Sequence, residues 1–474
     1  MLDAERFTYD RVRRGLRATA DLTVPPHLMP IVNNALGDSP FATLVRLFVM
    51  DVPVSQAHAV AALQPLSLQD AINLGIVSLG RSQVHATVHL QPTEYGIFAH
   101  DPLAANYAAM RADWVMGVAD STRLLEQLTI RRNVQLALDM GTGCGYHAIL
   151  AARHVERVIA TDVNARALAY AEFNALLNGI TNVEFRRGSL FDPVEGETFD
   201  MIVTNPPFVI SPDRTFVYRD AGKEGDDFTR DIVQALPRYL KPGGIAHLLA
   251  NWIHEPPTKD GNWSAPVAAW IADTDTDGWF FRKASYDPLE YVYMWNQRLG
   301  WAGEFQRYQQ TVDRWMRYFA AQGIAAIAYG GVLLRRREDG RRGRVRADEL
   351  PDGPLDATLS PDLDRRLRVE DQLEALDEAQ LQDLVLELAS DQRLQQVLRW
   401  RDGGFKMVEA SLVRDVGLHT EAEVTPEMMR LFTEINGVRS MRDVLSAMAI
   451  DDSSRPDVLA AVRQMLAYGF LQWR

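Results

Sequence analysis

The 474-residue chain contains a single cysteine, Cys144. That excludes an intramolecular disulfide and any cysteine-rich zinc site, and it points to a reducing cytoplasm. The ten histidines are scattered, with no H-E-x-x-H or comparable ligand spacing, so no metal centre is expected. Long apolar runs are missing as well. The longest, Gly244 to Trp252, is less than half a membrane span and already contains His247 and Asn251, so no membrane partner is expected. The opening residues MLDAERFTYDRVRRG have no hydrophobic stretch behind their basic residues, which argues against a secretion signal. Basic charge is in deficit: 50 Lys and Arg stand against 63 Asp and Glu, a net charge of −13. Broad binding of nucleic acid, which depends on neutralising phosphates, is disfavoured. Protein, peptide or small-molecule partners are favoured instead.

What is present reads as a multidomain globular protein. Hydrophobic residues make up 47% and charged residues 24%, and the length exceeds what one core accommodates. Residues 1–104 read as short helices followed by strands. Pro40–Met50 has apolar positions at helical spacing, Ser55 and Ser67 are good N-caps, and Val84, Ala86, Val88 and Leu90 alternate as a half-buried strand. Helices followed by a β-wing describe a winged-helix-like module, or equally a helical cap. Residues 105–350 alternate strands and helices, with strands at 135–140, 157–163, 183–187, 200–204, 245–250, 279–283 and 324–336. Such alternation builds an α/β fold: a seven-stranded, mostly parallel, doubly wound sheet. Residues 338–362 read as a hairpin tip and a linker. Residues 363–474 read as a third domain of Leu-rich helices, a strand pair near 407–413 and a closing helix running into 467–474.

The most informative stretch is Leu136-Ala-Leu-Asp-Met-Gly-Thr-Gly-Cys-Gly-Tyr146, an apolar strand running through Asp139 into glycines 141, 143 and 145 and then a helix. Alternating glycines let backbone turn sharply and approach a ligand where a Cβ would collide. A dinucleotide fingerprint would read G-x-G-x-x-G. Here the spacing is G-x-G-x-G behind an acid, which suits a cationic ligand better than a pyrophosphate. Asp162 closes the next strand, where a carboxylate can take both hydroxyls of a ribose. Gly188-Ser-Leu-Phe-Asp192 follows strand three.

These three elements resemble the cofactor motifs of class I S-adenosylmethionine-dependent methyltransferases, over residues 110–336. The resemblance implies a methyltransferase sheet, with S-adenosyl-L-methionine as cofactor and S-adenosyl-L-homocysteine as product. It implies that Asp139, Gly141, Thr142, Gly143 and Gly145 hold the methionine moiety. Asp162, with Val163 beside it, would hold the ribose, and Ser189 with Leu190 the adenine. Relatives often carry an acid where Ser189 stands, and a serine accepts more weakly.

Phe199-Asp-Met-Ile-Val-Thr-Asn-Pro-Pro-Phe208 is a buried strand entering Asn-Pro-Pro-Phe. Pro206 and Pro207 fix the backbone and remove N–H donors, leaving carbonyls as acceptors. The Asn205 amide oxygen and the Pro206 carbonyl can converge on a substrate –NH2, with Phe208 stacked on the planar group bearing it. The resemblance implies that Asn205 also contacts the cofactor. The motif resembles that of enzymes methylating adenine N6, guanine N2 of ribosomal RNA and the glutamine amide of release factors. The domain is most similar to release-factor glutamine methyltransferases and small-domain ribosomal RNA methyltransferases. The whole chain resembles a three-domain actinobacterial methyltransferase family of unsettled function.

Further candidates surround this site. The loop 209–228, hinged by Gly222 and Gly225, could be a lid, with Tyr218, Arg219 and Asp220 touching substrate or with Arg219 and Asp220 pairing to hold the loop shut. Trp252 ends strand five and is either a pocket wall or core. Arg335–Arg346 holds seven arginines in twelve residues, a phosphate or acidic-peptide grip or else a solvated hairpin tip. The C-terminal segment 424–471 resembles small winged helices, some of which bind leader peptides; a lid or homodimer contact is the alternative. The expected activity is N-methylation of a protein or peptide amide or amine. A small metabolite, or an rRNA or tRNA base amino group, is the alternative acceptor.

Overall fold

A computed structural model describes the chain apart from residues 1, 4, 18–21, 23, 25, 103–109, 221, 256–262, 302–303, 354 and 474. The expected boundary at 104/105 lies outside the described residues. Two compact units are present: Met1–Glu126 with Arg132–Asp348, and Gln127–Arg131 with Glu349–Arg474.

The first unit is built on a sheet whose strands we label β1 (Val134–Met140), β2 (Val155–Asp162), β3 (Val183–Arg187), β4 (Phe199–Thr204), β5 (Leu240–His254), β6 (Thr276–Tyr286), β7 (Ala326–Arg336) and β8 (Val345–Glu349). Their order across the sheet is β3-β2-β1-β4-β5-β7-β6-β8. Strands β3, β2, β1, β4 and β5 are mutually parallel, whereas β7 runs antiparallel between β5 and β6. The seven expected strands are therefore present, and an eighth extends the edge. Residues 345–349 were expected as part of a hairpin tip and linker. They form a strand instead, and the Gly278 amide donates to the Arg344 carbonyl at 2.8 Å where the two segments meet.

The strands are near-continuous apolar runs because helices cover both faces. Leu138, Ile159, Ile202, Leu248, Phe280 and Val332 share one core, and a second core joins Ile149 and Leu150 to Phe98 and Ala175. Chain order reverses on either side of β1. The carboxyl ends of β1, β2 and β4 thus lie side by side, as the register Thr161–Met140–Thr204 records. Loops leaving such a reversal point cannot cover it, which opens a crevice.

Residues 1–100 have a core of their own around Phe41, Leu44, Phe48, Leu63, Val77 and Val84. Ser39, Ser55 and Ser67 cap the helices Pro40–Phe48, Gln56–Leu63 and Leu68–Asn73, accepting from Ala42, His58 and Asp70 amides at 3.1, 3.2 and 3.0 Å. Val77–Leu79 pairs antiparallel with Gln83–Ala86, and the expected strand through Leu90 breaks after Ala86 into a second hairpin, His89–Thr93 with Gly96–His100.

The second unit packs Leu381, Leu431, Val444, Val462 and Phe470 together. Its last helix, Arg455–Tyr468, stops at Gly469 (φ +84°), and Leu471–Trp473 is a strand paired with Leu386–Leu388 rather than the expected end of a helix. Gln392–Arg401 and Gly404–Arg414 form a long antiparallel hairpin. Among the described residues, no helix is long and apolar enough to cross a membrane.

Candidate active site

The turn after β1 is set by its glycines. Gly141 and Gly143 have φ of +73° and +56°, and a Cβ on either would meet nothing within 4 Å. They are glycines for conformation, and open space lies beside them. Gly145 (φ +85°) serves another purpose, since a Cβ there would stand 3.0 Å from Ala171 Cα. Helix α1 (Ala165–Leu177) can approach the turn only because that side chain is missing.

Hydrogen bonds lock the turn to β2. The Gly141 and Thr142 amides donate to the Thr161 carbonyl at 2.9 and 2.8 Å. The Gly143 amide donates to Asp162 Oδ2 at 2.9 Å, and the Asn164 amide donates to Asp162 Oδ1 at 2.8 Å. Asp139 lies under the turn. Its Oδ2 accepts from Thr142 Oγ1 at 2.6 Å and from the Ala148 amide at 2.8 Å. Burial pushes its carboxyl up to about 7, with those two donors opposing the shift and Asp162 adding to it. Burial likewise raises Asp162, opposed by the amides that bond it.

Asp162, Gly141, Thr142, Gly143, Val163, Ser189, Leu190, Asn205, Pro206, Pro207 and Tyr218 all line one cavity of about 290 Å³. Eleven of the residues singled out in the sequence thus converge. Asp162 and Asn205 follow strands two positions apart in the sheet, a separation of about 10 Å at the usual strand spacing. The Asn205 Nδ2 has one long contact, 3.5 Å to Ser121 Oγ. Thr204 Oγ1 donates to the Met140 carbonyl at 2.7 Å, which fixes the end of β4 against the end of β1.

Six expected contacts fall elsewhere. Asp139 and Gly145 support the turn but do not line the cavity. Phe208 does not line it either: its ring packs 5.8 Å from Tyr329 and 6.4 Å from Trp295. The chain is drawn inward there because the Ile210 amide donates to Tyr291 Oη at 3.1 Å. Arg219 and Asp220 are buried and pair with each other at 2.7 Å, and Asp220 Oδ2 accepts from the Thr215 and Phe216 amides. They close the loop on itself, the alternative the sequence left open to substrate contact, instead of facing the cavity. Trp252 is fully buried in the sheet core, its Nε1 donating to the Trp263 carbonyl at 3.3 Å. The reason is β7, which pairs with β5 as far as His254–Ala326 and shields that end of the strand.

The arginine run is paired too. Arg335, Arg337 and Arg344 contact Asp277; Arg336 contacts Asp275, Arg342 Asp273, Arg341 Asp339 and Arg346 Asp348. Among the described residues no group of three or more His, Cys, Asp and Glu could hold a metal ion. Cys144 lines the cavity, and burial pushes its thiol up to about 12.

Sequence reasoning missed the cavity's roof. Trp114, Val115, Met116 and Gly117 line it, and Trp114 stacks edge-on with Tyr218 at 5.2 Å. Asp101 holds this segment: its Oδ2 accepts from the Val115 amide at 2.9 Å, while Oδ1 accepts from Tyr170 Oη at 2.8 Å and pairs with Arg166. No motif marks these residues; a tryptophan directly after Arg111-Ala112-Asp113 was the available signal.

The Methyltransferase small domain family matches residues 117–257, and a Domain of unknown function (DUF7059) matches residues 4–87. A release factor glutamine methyltransferase of Xylella fastidiosa is 34% identical over 149 residues, covering 28% of this chain and 54% of that one. A Methanocaldococcus jannaschii chain provisionally named as a protein N5-glutamine methyltransferase is 33% identical over 138 residues, covering 27% of this chain and 68% of that one. The ribosomal RNA small subunit methyltransferase C of Alcanivorax borkumensis is 37% identical over 114 residues, covering 24% and 31%. The chain thus spans about half the length of the first of these relatives. With the glycine turn, the acid ending β2 and the Asn-Pro-Pro turn in one crevice, this chain belongs to the class I S-adenosylmethionine-dependent methyltransferases.

Proposed function

We propose that the protein is an S-adenosylmethionine-dependent N-methyltransferase acting on a planar amide or amine nitrogen of a protein or peptide. One observation carries this reading: Asn205 and Pro206 line the same cavity as the glycine turn and Asp162. The residues present suit the donor. Open space beside Gly141 and Gly143 leaves room for its methionine portion. Asp162 accepts from the Gly143 and Asn164 amides, one on each oxygen, and a carboxylate's four acceptor sites leave capacity for a ribose hydroxyl. Ser189 and Leu190 stand where adenine would pack, and Asp139 holds the turn from beneath.

When bound, the sulfonium supplies an activated methyl group. The chain supplies position. Asn205 Oδ1 and the Pro206 carbonyl accept the two hydrogens of the acceptor –NH2 and aim its delocalised lone pair at the methyl carbon. Proper orientation of two reactants removes roughly 7–11 kcal/mol from a barrier, which is what a poorly nucleophilic amide requires. Two of the relatives above are glutamine methyltransferases by name, and a glutamine side chain presents the –NH2 this arrangement suits.

We read the chain as three functional parts. Residues 105–350 carry the chemistry, and winged-helix-like regions at 1–104 and 363–474 recognise the acceptor. The capped helices ahead of the Val77–Ala86 strands, and the helices ahead of Leu471–Trp473, support that reading. A single cysteine suits a cytoplasmic setting. Incubation with methyl-labelled S-adenosylmethionine and fractionated cell extract tests the proposal. Label should enter protein with the native chain and not with Asn205→Ala. Label confined to RNA or small molecules would overturn the protein acceptor, and no transfer to any fraction would overturn the activity.

A further inference from the structure

The hairpin Gln392–Arg414 has two unlike faces. Residues opposite one another in its register share a face. Leu398 opposes Met407 and Trp400 opposes Phe405, with Leu394 on the same side. These five side chains are exposed, Trp400 by 64% and Phe405 by 69%. The Trp400 and Phe405 rings meet edge-on at 5.2 Å, and Gln396 Nε2 reaches Met407 Sδ at 3.3 Å, as sharing one face requires. The other face carries Arg393, Arg399, Arg401 and Lys406, of which Arg393 pairs with Asp415 and Lys406 with Asp402. The strand Glu421–Glu423 pairs with Ser411–Val413, and among the described residues no further strand pairs with the hairpin beyond that point.

We propose that this hairpin is a self-association arm, its apolar face packing against the same face of a second copy of the chain. Three properties select a second copy. Rings of this size and aliphatic neighbours offer roughly 600 Å² per chain, so a pair buries about 1,200 Å², the lower edge of a specific interface. A patch of that size stands at the upper end of what a monomer's largest apolar patch reaches, and patches that large mark interaction sites. Side-chain bulk also tapers, from Trp400 and Phe405 at the tip through Leu398 and Met407 to the exposed Leu394 and Gln396 at the base, where Ala410 and Leu412 of the other strand turn into the domain's own core. A two-fold, antiparallel arrangement sets the bulky tip of each arm on the slim base of the other, which makes the face complementary to itself. Charge completes the argument. The arginines point away from the rings, so stacking two arms leaves both basic faces outward in solvent. A membrane or an RNA would need rings and cations presented together, by a chain of net charge −13.

Sedimentation equilibrium of the full chain over about a thousandfold range of concentration tests this. The native protein should weigh twice 53.3 kDa at high concentration and dissociate on dilution. The double variant Trp400→Ser/Phe405→Ser should weaken association at least about 100-fold, with an unchanged melting temperature at concentrations where both proteins are monomeric, because both rings are exposed in the single chain. Leu398→Cys, at the middle of the face, should give a disulfide-linked dimer on mild oxidation; the native Cys144 is buried and should give none. A chain that stays monomeric throughout, or a double variant that associates as before, would overturn the proposal. So would a monomer whose arm is protected only by anionic vesicles or by single-stranded RNA.

Discussion

The Gly143 amide donates to Asp162 Oδ2 at 2.9 Å, so the glycine turn and the end of β2 form one hydrogen-bonded unit. In our account the same carboxylate also receives the ribose. Asp162→Asn keeps the volume but leaves one acceptor oxygen for duties that need two. Affinity for S-adenosylhomocysteine should fall about 10- to 100-fold, since hydrogen bonds to charged groups contribute about 1.5–3 kcal/mol. Calorimetric titration measures it. Unchanged affinity would remove Asp162 from the site.

Gly143→Ala separates conformation from binding. A non-glycine residue at φ +56° costs about 1 kcal/mol, and the new methyl enters the open space beside the turn. Chemical denaturation should show that modest loss, whereas cofactor binding should fall far more. Equal losses would mean that the open space takes no ligand.

Asp139 ties the site to pH. Burial raises its carboxyl to about 7 in the folded chain, against roughly 4 when unfolded. A raised acid contributes stability that is complete below the unfolded value and lost as pH rises through the folded one. Unfolding free energy should therefore decline between about pH 4 and pH 7, with a shallower decline in Asp139→Asn. A sulfonium bound over the turn favours the carboxylate, so titration with S-adenosylmethionine near pH 7 should release protons. Repeating it in buffers of different ionisation enthalpy measures the release, which Asp139→Asn should reduce.

Asp220→Ala removes the nearer carboxylate from a buried cation. Arg219 is buried against Asp220, with Asp213 farther off at 3.4 Å. Breaking a buried pair from one side costs about 3–5 kcal/mol. Asp213 softens that, so a loss near the lower end is expected in urea unfolding. A change below about 1 kcal/mol would mean that the pair does not hold the loop.

What the sequence made legible was whatever is local in the chain. The glycine turn, Asp162, Ser189 and the Asn-Pro-Pro turn each follow a strand, and parallel strands bring their ends together without further instruction. Hidden were contacts made across long separations. Trp114 becomes a roof only because Asp101 and helix α1 hold its segment. Trp252 reads equally as pocket wall or core until β7 is laid along β5. The arginine run stays open between a phosphate grip and a solvated hairpin tip because most of the carboxylates that neutralise it lie some sixty residues upstream, at Asp273, Asp275 and Asp277. Phe208 follows the motif in sequence, yet the Ile210–Tyr291 bond draws it into the core.

The most direct measurement is calorimetric titration of S-adenosylhomocysteine into the native chain and into Asn205→Ala. Our account predicts saturable uptake of one equivalent by both, with methyl transfer surviving only in the native chain. Absence of heat from the native protein, or loss of uptake along with transfer in Asn205→Ala, would contradict it.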